Sequence, residues 1–268
     1  MQIVAQHGNA ELAALYVGQL DDGSRIEFVE SVQPPVPRRE KWVHVISTLK
    51  GCPFDCSICD AGGDYRGKLS AAEIVGQVDY LVRTRFPDGR PQTRRLKVQF
   101  ARMGDPALNE AVLEALEELD QRYGTLLFPS ISTIAPAASG VMLEQLLDLK
   151  SRLFGPRFQM QFSLHTTDET RRRELVPAKT WSFSEMGSYG RRFHLAGERK
   201  VTLNFAAPTG YPLDPGALLD HFPPAHFIIK LTPVNPTDKV LRQGLVGRID
   251  PTRRADCHTL VDRFEEAG

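Results

Sequence analysis

Three of the four cysteines in this chain lie within eight residues, in the segment Cys52-Pro-Phe-Asp-Cys56-Ser-Ile-Cys59. Their spacing is C-x3-C-x2-C, and the fourth cysteine, Cys257, is far away in the sequence. Three thiolates on one short loop can ligate three irons of a 4Fe–4S cluster. The fourth iron then stays open, so that a substrate or cofactor can bind to it directly. The spacing therefore predicts a cluster that takes part in chemistry rather than one that only carries electrons.

A structural zinc site is the competing interpretation of the same cysteines. Such a site needs four closed ligands, so Cys257 or a histidine would have to join the three loop cysteines. Zinc sites are usually built from C-x2-C pairs, and the C-x3-C half of this motif does not follow that pattern. The spacing favours the iron–sulfur cluster, with zinc as the alternative.

The composition is that of an ordinary globular protein with no excess of either charge. Of the 268 residues 41% are hydrophobic, and 33 basic side chains balance 33 acidic ones. A nucleic-acid partner usually requires a basic surface, so the balance disfavours RNA as a substrate. The sequence has neither a run of about 20 apolar residues nor a signal-peptide pattern. With clustered rather than paired cysteines, we expect a cytoplasmic protein without a membrane partner.

Two regions follow from the distribution of apolar runs and turn residues. Residues 1–40 predict a β-hairpin, with the turn at Asp21-Asp22-Gly23, and then a stiff connector, Pro34-Pro35-Val36-Pro37. Residues 41–268 alternate between strand and helix. The predicted strands are 43–46, 96–103, 125–133, 158–164, 200–206 and 227–231. The predicted helices are 70–84, 106–123, 141–153, 168–175, 182–195, 214–221 and 250–267.

This alternation predicts an α/β fold whose strands are parallel and joined by right-handed crossovers. Six strand–helix units are too few for a closed eight-stranded barrel. We therefore expect an open, partial (β/α)6 barrel, preceded by the small N-terminal hairpin. In such folds the active site lies at the C-terminal ends of the strands. The cysteine loop follows the first of these strands, where the chemistry is expected.

Polar residues also follow the later strands. Gly104 and Asp105 end the second strand, where a glycine lets the backbone approach a ligand and an aspartate can bind a cationic amine. The alternative is a helix cap at Asp105. The other polar residues at strand ends are Ser132, Ser163, His165 and Asn235. Each of them alone is more simply explained by helix capping or a local hydrogen bond, but together they would converge on one ligand.

The cysteine loop after a strand, Gly51-Cys52-x3-Cys56-x2-Cys59, resembles the radical S-adenosylmethionine (SAM) superfamily. The resemblance implies a 4Fe–4S cluster whose open iron is chelated by the amino and carboxylate groups of SAM. An aromatic residue often precedes the last cysteine of the motif, and this chain has Ile58 there. Gly104-Asp105-Pro106 resembles the Gly-Glu-Pro element that binds the SAM amino group, with aspartate in place of glutamate.

Further segments resemble one branch, the radical SAM ribosomal RNA adenine methyltransferases. These are Gly76-Gln77-Val78 and Ser163-Leu-His-x5-Arg171…Glu174-Leu-Val-Pro177. The likeness covers about residues 12 to 264. Carried over by position, it implies that SAM is bound by Gly104, Asp105, Ser132, Ser163, His165 and Asn235.

Two cysteines of that branch have no counterpart here. One lies seven residues before the first cluster cysteine, where this chain has Val45. The other carries the methyl group and follows the last helix and a further strand, whereas this sequence ends at Gly268. Cys257 falls inside the predicted last helix, where we expect a buried structural thiol. The methyl-carrying mechanism needs a thiol that accepts the methyl group, so its absence argues against that reaction.

The leading hypothesis is a radical SAM enzyme that cleaves SAM reductively to a 5′-deoxyadenosyl radical, which then acts on an unidentified substrate. The resemblance implies a reducing electron donor such as flavodoxin or ferredoxin. A second hypothesis is a ribosomal RNA adenine methyltransferase truncated before its methyl-carrying cysteine. A third is a non-enzymatic iron–sulfur electron carrier, which would have no use for the polar residues at the strand ends.

Overall fold

A computed structural model describes residues 1–9, 11–250 and 254–268, and the side chains of all of these except 254–257. Contacts within the chain divide it into two compact units. Unit 1 consists of Met1–Pro53, Gly63–Ser132 and Ala138–Gln159, and unit 2 consists of Phe54–Gly62, Thr133–Ala137 and Met160–Gly268.

Unit 1 contains an antiparallel portion and a parallel portion of one sheet. Its strands are β1 (Gln2–Asn9), β2 (Ala13–Gln19), β3 (Arg25–Ser31), β4 (Trp42–Ile46), β5 (Leu49–Lys50), β6 (Gly67–Lys68), β7 (Leu96–Phe100) and β8 (Leu127–Thr133). The order β1-β2-β3-β4 is antiparallel, and β7 and β8 then continue from β4 in parallel. The short strands β5 and β6 pair separately, on either side of the cysteine loop in the sequence.

The predicted N-terminal hairpin is present as β2 and β3. Ala13 pairs with Ser31 at one end of the hairpin, and Gln19 pairs with Arg25 at the other. Side chains along both strands alternate between buried and half-buried, as expected for strands with one face on a core. Strand β1 was not predicted. Most of its side chains are exposed, and its sequence does not alternate between apolar and polar residues. The sequence analysis also missed the pairing of β3 with β4, which joins the hairpin to the parallel strands.

The helices of unit 1 are α1 (Ala71–Arg85), α2 (Ala111–Tyr123) and α3 (Gly140–Leu149). The capping box predicted for α1 is confirmed, with Ser70 and Glu73 each bonding to the backbone of the other. The helix predicted from Pro106 onward is divided: a 3-10 turn covers Pro106–Leu108, and α2 begins only at Ala111. The break is at Asn109, whose backbone is extended with a φ of −128° and whose side-chain amide donates to the carbonyls of Thr48 and Leu69.

Unit 2 contains a parallel sheet of β9 (Gln159–Ser163), β10 (Val201–Ala206) and β11 (Phe227–Thr232). Its helices are α4 (Glu169–Leu175), α5 (Phe183–Phe193), α6 (Gly216–Leu219), α7 (Asp238–Arg242) and α8 (Arg254–Ala267). Helix α7 was not predicted, because it is little more than one turn long. The first residues predicted for the last helix include 251–253, which lie outside the described residues.

The strands of unit 2 have two chemically different faces. One face carries the buried apolar residues Met160, Phe162, Val201, Leu203 and Phe205. Phe162 contacts the ring of Tyr189 on α5, with 6.2 Å between the centroids. The opposite face is mostly polar: besides Ile228 it carries Gln161, Ser163, Thr202, Asn204, Lys230 and Thr232. A parallel sheet is usually apolar on both faces, so the polar face marks the side of the strands available for binding.

Among residues 1–9, 11–250 and 254–268 we find no helix with the length and apolar character that crossing a bilayer would need.

Candidate functional site

The three clustered cysteines are all half-buried. Cys52 belongs to unit 1, whereas Cys56 and Cys59 belong to unit 2, where the Cys59 amide donates to the Cys56 carbonyl at 3.2 Å. Partly accessible cysteine thiols are the donor set that iron–sulfur clusters use, so the residue types fit the predicted cluster. In the described part of the chain, no three His, Cys, Asp or Glu side chains are grouped so that they could hold a metal ion.

In unit 2, the loop that carries Cys56 and Cys59 is bonded to the end of helix α4. The amide of Ser57 donates to the Leu175 carbonyl at 2.9 Å, and its hydroxyl donates to the Glu174 carbonyl at 3.0 Å. Carbonyls in the last turn of a helix have no partner within the helix. Ser57 satisfies two of them and thereby fixes the loop to the Glu174-Leu-Val-Pro177 segment, which the sequence analysis had singled out only by resemblance.

Apolar packing reinforces this attachment. The side chains on the loop that face the end of α4 are those of Phe54, Cys56 and Ile58, and they pack against Ile134, Leu175 and Val176. Ile58 is the residue that departs from the aromatic found in the resembling motif. Its position in an apolar cluster explains why a hydrophobic residue is needed there.

The residue after the last cysteine binds helix α7. The carboxylate of Asp60 accepts the amide of Asp238 at 2.8 Å and the amide of Lys239 at 3.0 Å. These hydrogen bonds, that from Lys239 above all, lower the pKa of Asp60. The Asp60 side chain thus connects the cysteine loop to the segment that follows β11, in which the predicted SAM residue Asn235 is exposed.

In unit 1, Gly104 allows two backbone segments to approach closely. Its φ is +83°, and a Cβ atom placed on it would lie 2.3 Å from the Leu49 side chain. The Met103 carbonyl next to it accepts amides from Thr48 and Leu49, at 2.9 and 3.2 Å. Leu49 begins the short stretch that leads into Cys52. Gly104 therefore positions the loop after β7 against the backbone that leads into the cysteine motif.

We predict that Gly104→Ala destabilises the protein more than Gly23→Ala does. Gly23 has nearly the same φ, +82°, but nothing lies within 4 Å of a Cβ placed there. Alanine at Gly23 should cost about 1–2 kcal/mol through backbone strain alone. At Gly104 the clash with Leu49 should add about 1–3 kcal/mol. Urea denaturation of both variants measures the difference, and equal losses would show that the contact with Leu49 is unimportant.

Asp105 and Asn109 both fix the loop after β7. Asp105 is buried, and its Oδ1 accepts the Ala107 amide at 2.9 Å, so the capping role considered for it is present. Asn109 is also buried, and its Nδ2 donates to the carbonyls of Thr48 and Leu69 at 2.8 and 2.7 Å. The sequence analysis missed Asn109 as a positioning residue, because only the tertiary structure reveals its two partners.

Gln77, noted in the sequence as part of a resembling motif, binds the backbone at the end of β4. Its Oε1 accepts the Ser47 amide at 2.9 Å, and its Nε2 donates to the Ser47 carbonyl at 3.0 Å. The side chain is fully buried. Buried backbone groups must be paired, and here one glutamine of α1 satisfies both groups of a residue just upstream of the cysteine loop.

His165 is held in an unusual conformation at the end of β9. Its φ is +70°, a value uncommon for any residue other than glycine. Its Nδ1 accepts the Ala206 amide at 3.1 Å, so the ring proton must be on Nε2. Burial, with a smaller contribution from the Arg172 charge, lowers the pKa of His165 to about 3. The ring is therefore neutral near pH 7 and offers one N–H donor.

The buried histidines predict a specific dependence of stability on pH. Burial lowers the pKa of both His44 and His165 to about 3, against 6.5 for the unfolded chain. Between these values the unfolded state binds more protons, so stability falls as the pH is lowered from 6.5 toward 3. Each histidine should contribute a slope of about 1.4 kcal/mol per pH unit. Denaturation between pH 6.5 and 5 should show a slope in His165→Gln that is smaller by the contribution of one histidine, and an unchanged slope would contradict the assignment.

Arg172 connects the ends of two strands of the chain. It is buried, and its Nη2 donates to the carbonyls of Ile134 and Ser163 at 2.9 and 2.8 Å. Its Nη1 donates to the Thr180 hydroxyl at 2.7 Å. The sequence analysis named the neighbouring Arg171 instead, which is exposed and forms an ion pair with Glu174 at 2.8 Å. Nothing in the run Arg171-Arg172-Arg173 shows which guanidinium points inward.

The predicted SAM residues are thus divided between the units. Gly104, Asp105 and Ser132 lie in unit 1, and Ser163, His165 and Asn235 lie in unit 2. Within unit 2, the segment with Ser163 and His165 is bonded to β10, since the Asn204 carbonyl accepts the amides of Leu164 and His165. Ser132 and Ser163 are both half-buried. Their part in SAM binding stays a prediction.

Comparison with solved structures shows the fold class. The radical SAM methyltransferase from Sphaerobacter thermophilus superposes with a TM-score of 0.74 at 20% identity, over 100% of this chain and 74% of that one. Streptococcus suis SuiB, in a structure with S-adenosylmethionine bound, gives a TM-score of 0.53 at 15% identity, over 85% of this chain and 48% of that one. The mixed α/β fold is therefore one that radical SAM proteins use.

Sequence comparison identifies the relatives more closely. The chain is 29% identical to the probable dual-specificity RNA methyltransferase RlmN of Desulfitobacterium hafniense, over 80% of this chain and 60% of that protein. It is 30% identical to the RlmN of Marinobacter nauticus, over 73% of this chain and 51% of that protein. The chain is therefore similar in sequence to the RlmN branch and in fold to radical SAM proteins, as the motifs predicted. No family model matches it.

These relatives bear on the expected substrate. The chain spans about three-fifths of the length of the RlmN proteins from two Desulfitobacterium hafniense strains, 60% of one and 64% of the other. Their names state an RNA methyltransferase activity, so the expectation that a balanced net charge disfavours RNA receives no support. Val45, which stands where the resembled branch has one of its additional cysteines, is the next-to-last residue of β4. Cys257 is outside the residues whose side chains are described.

Proposed function

We propose that this chain is a radical SAM enzyme that binds a 4Fe–4S cluster through Cys52, Cys56 and Cys59 and cleaves SAM reductively. The observation that supports this most is the three-cysteine loop in a chain of radical SAM fold and RlmN relationship. When bound, the cluster supplies one electron to the sulfonium of SAM, whose C5′–S bond breaks to give methionine and a 5′-deoxyadenosyl radical. A reduced protein such as flavodoxin or ferredoxin would provide that electron.

The residues of this chain would bind and orient SAM. Gly104 and Asp105 would bind its amino group, with the glycine permitting close approach and the carboxylate accepting hydrogen bonds. Neutral His165 has its proton on Nε2 and would donate a hydrogen bond rather than place a charge beside the SAM sulfonium. Ser132, Ser163 and Asn235 would supply further polar contacts. We also propose that the parallel strands β4 and β7–β11 form the partial barrel expected from the sequence.

The reaction that follows SAM cleavage is proposed from the thiols present in the sequence. Methyl transfer by the mechanism of the resembled branch needs two thiols besides the cluster ligands, and Val45 stands at the position expected for one of them. Hydrogen abstraction from an unidentified substrate by the 5′-deoxyadenosyl radical needs no such thiol and is therefore our first choice. The RNA methyltransferase names of the relatives favour a second candidate, methylation of an RNA base, with the methyl-carrying thiol supplied outside this sequence.

The metal content after anaerobic reconstitution with iron and sulfide tests the first step. We expect about four irons and four sulfides per chain, and an electron paramagnetic resonance signal of the reduced cluster that changes on addition of SAM. A change on addition would show that SAM reaches the open iron. One tightly bound zinc per chain, with no retained iron, would support the structural alternative and contradict the proposal.

A further inference from the structure

A lysine without a partner lies on the polar face of the unit 2 strands. Lys230 is in β11 and is exposed. It makes no hydrogen bond or ion pair with any residue that the structure describes, although other lysines such as Lys50 and Lys68 pair with carboxylates. The surrounding protein lowers the pKa of Lys230 by desolvation alone. Protein atoms near the ammonium therefore displace part of its hydration although the residue as a whole is exposed, and no carboxylate among the described residues pairs with its charge.

Lys230 belongs to a row of polar residues across three strands. In the parallel register Asn204 of β10 lies beside Lys230 of β11, and Ser163 of β9 lies beside Asn204. Neighbouring strands are about 4.8 Å apart, so the ammonium and the Ser163 hydroxyl can reach a single small group. All three residues lie at or close to the C-terminal ends of their strands, where ligands bind in α/β sheets.

Asn204 provides a second, independent sign of an unfilled binding position. Its side-chain Oδ1 is buried and has no hydrogen-bond partner among the described residues. A buried polar atom without a partner costs free energy, and such atoms are rare in proteins. The oxygen and nitrogen of the amide can be exchanged by a half-turn, so that the NH2 group takes this buried position and can donate to a ligand. An oxyanion placed there would accept from the amide and the ammonium together.

We propose that Lys230 and Asn204 bind an oxyanion of the substrate, a phosphate or a carboxylate, on the polar face of β10 and β11. This rests on the proposed function, because it assigns part of the same site to the substrate. The charge decides the ligand class: an unpaired ammonium that is partly desolvated gains most from an anion. Ser163, predicted to bind SAM, ends the same row and would place the substrate anion beside the cofactor.

Acylation of lysines in the wild-type protein tests this directly. The protein is treated with an amine-reactive acetyl ester with and without inorganic pyrophosphate, in each case both without and with SAM, and labelled peptides are quantified by mass spectrometry. Pyrophosphate at about ten times its dissociation constant should slow the labelling of Lys230 about tenfold. Lys200, exposed at the other end of β10, is the internal control and should be unaffected. Protection should weaken in Asn204→Ala.

Two outcomes would overturn the proposal. Protection of Lys230 by SAM alone, with no further effect of pyrophosphate, would assign the lysine to the cofactor. If neither SAM nor pyrophosphate slows the labelling of Lys230, the lysine is only a charge on an edge strand, where lysines discourage pairing with other chains. The labelling does not require turnover, so its result is independent of SAM cleavage. A protein that fails to cleave SAM would contradict the proposed function but would not decide whether Lys230 binds an anion.

Discussion

Replacement of Cys59 by alanine is expected to abolish SAM cleavage. Removing one of three thiolate ligands leaves two, which do not retain a 4Fe–4S cluster with an open iron. The variant should contain little iron after reconstitution and should form no 5′-deoxyadenosine above the rate without protein. Cys52→Ala and Cys56→Ala should behave in the same way, although Cys52 belongs to the other unit. Iron analysis and mass spectrometry of the products measure both effects.

Cys257→Ala is the matched control for these variants, since it removes the one cysteine outside the loop. It should retain both the cluster and SAM cleavage. Retention of wild-type activity in any of the three loop variants would contradict the assignment of the cluster ligands. Loss of the cluster in Cys257→Ala would instead bring the fourth cysteine into the metal site, as the zinc alternative requires.

Replacement of Arg172 by methionine is expected to destabilise the protein strongly. The change leaves the carbonyls of Ile134 and Ser163 without their donor, at positions where the guanidinium is buried. Each buried carbonyl left without its donor costs about 1–3 kcal/mol. The loops that follow β8 and β9 would also lose their connection to each other. Urea denaturation, followed by the change in midpoint, measures the loss of stability.

Arg171→Met separates this effect from the general loss of a positive charge. Arg171 is exposed, pairs with Glu174 and lies over the ring of Tyr211 with 4.9 Å between its Cζ and the ring centroid. Such exposed contacts contribute about 1 kcal/mol or less. Equal destabilisation by the two substitutions would show that the buried hydrogen bonds of Arg172 carry no special weight.

The sequence predicted those parts of the fold that depend on local patterns. All six parallel strands were found within a few residues, because short apolar runs followed by turn or capping residues define them. The helix α1 was found from its capping box at Ser70 and Glu73. The cysteine loop was found because its spacing alone restricts its chemistry. In each of these cases the deciding interaction lies within a few residues of the chain.

The missed features depend on partners that are distant in the sequence. The predicted helix breaks at Asn109, whose side chain bonds to Thr48 and Leu69, and only the folded chain brings these together. Ser57 was not predicted as a positioning residue. Its hydroxyl donates to Glu174 at the end of α4, which is 117 residues later in the chain. Arg172 could not be separated from its arginine neighbours. The positioning of the site is therefore less visible in the sequence than its ligands are.

One anaerobic assay tests the central claim most directly: the reconstituted protein is incubated with SAM and dithionite, and the products are identified by mass spectrometry. Reductive cleavage predicts 5′-deoxyadenosine and methionine in equal amounts, and neither in the Cys59→Ala control. S-adenosylhomocysteine as the main product would point to methyl transfer and contradict our first choice of reaction. Absence of both products, with the cluster intact, would contradict the assignment of this chain as a radical SAM enzyme.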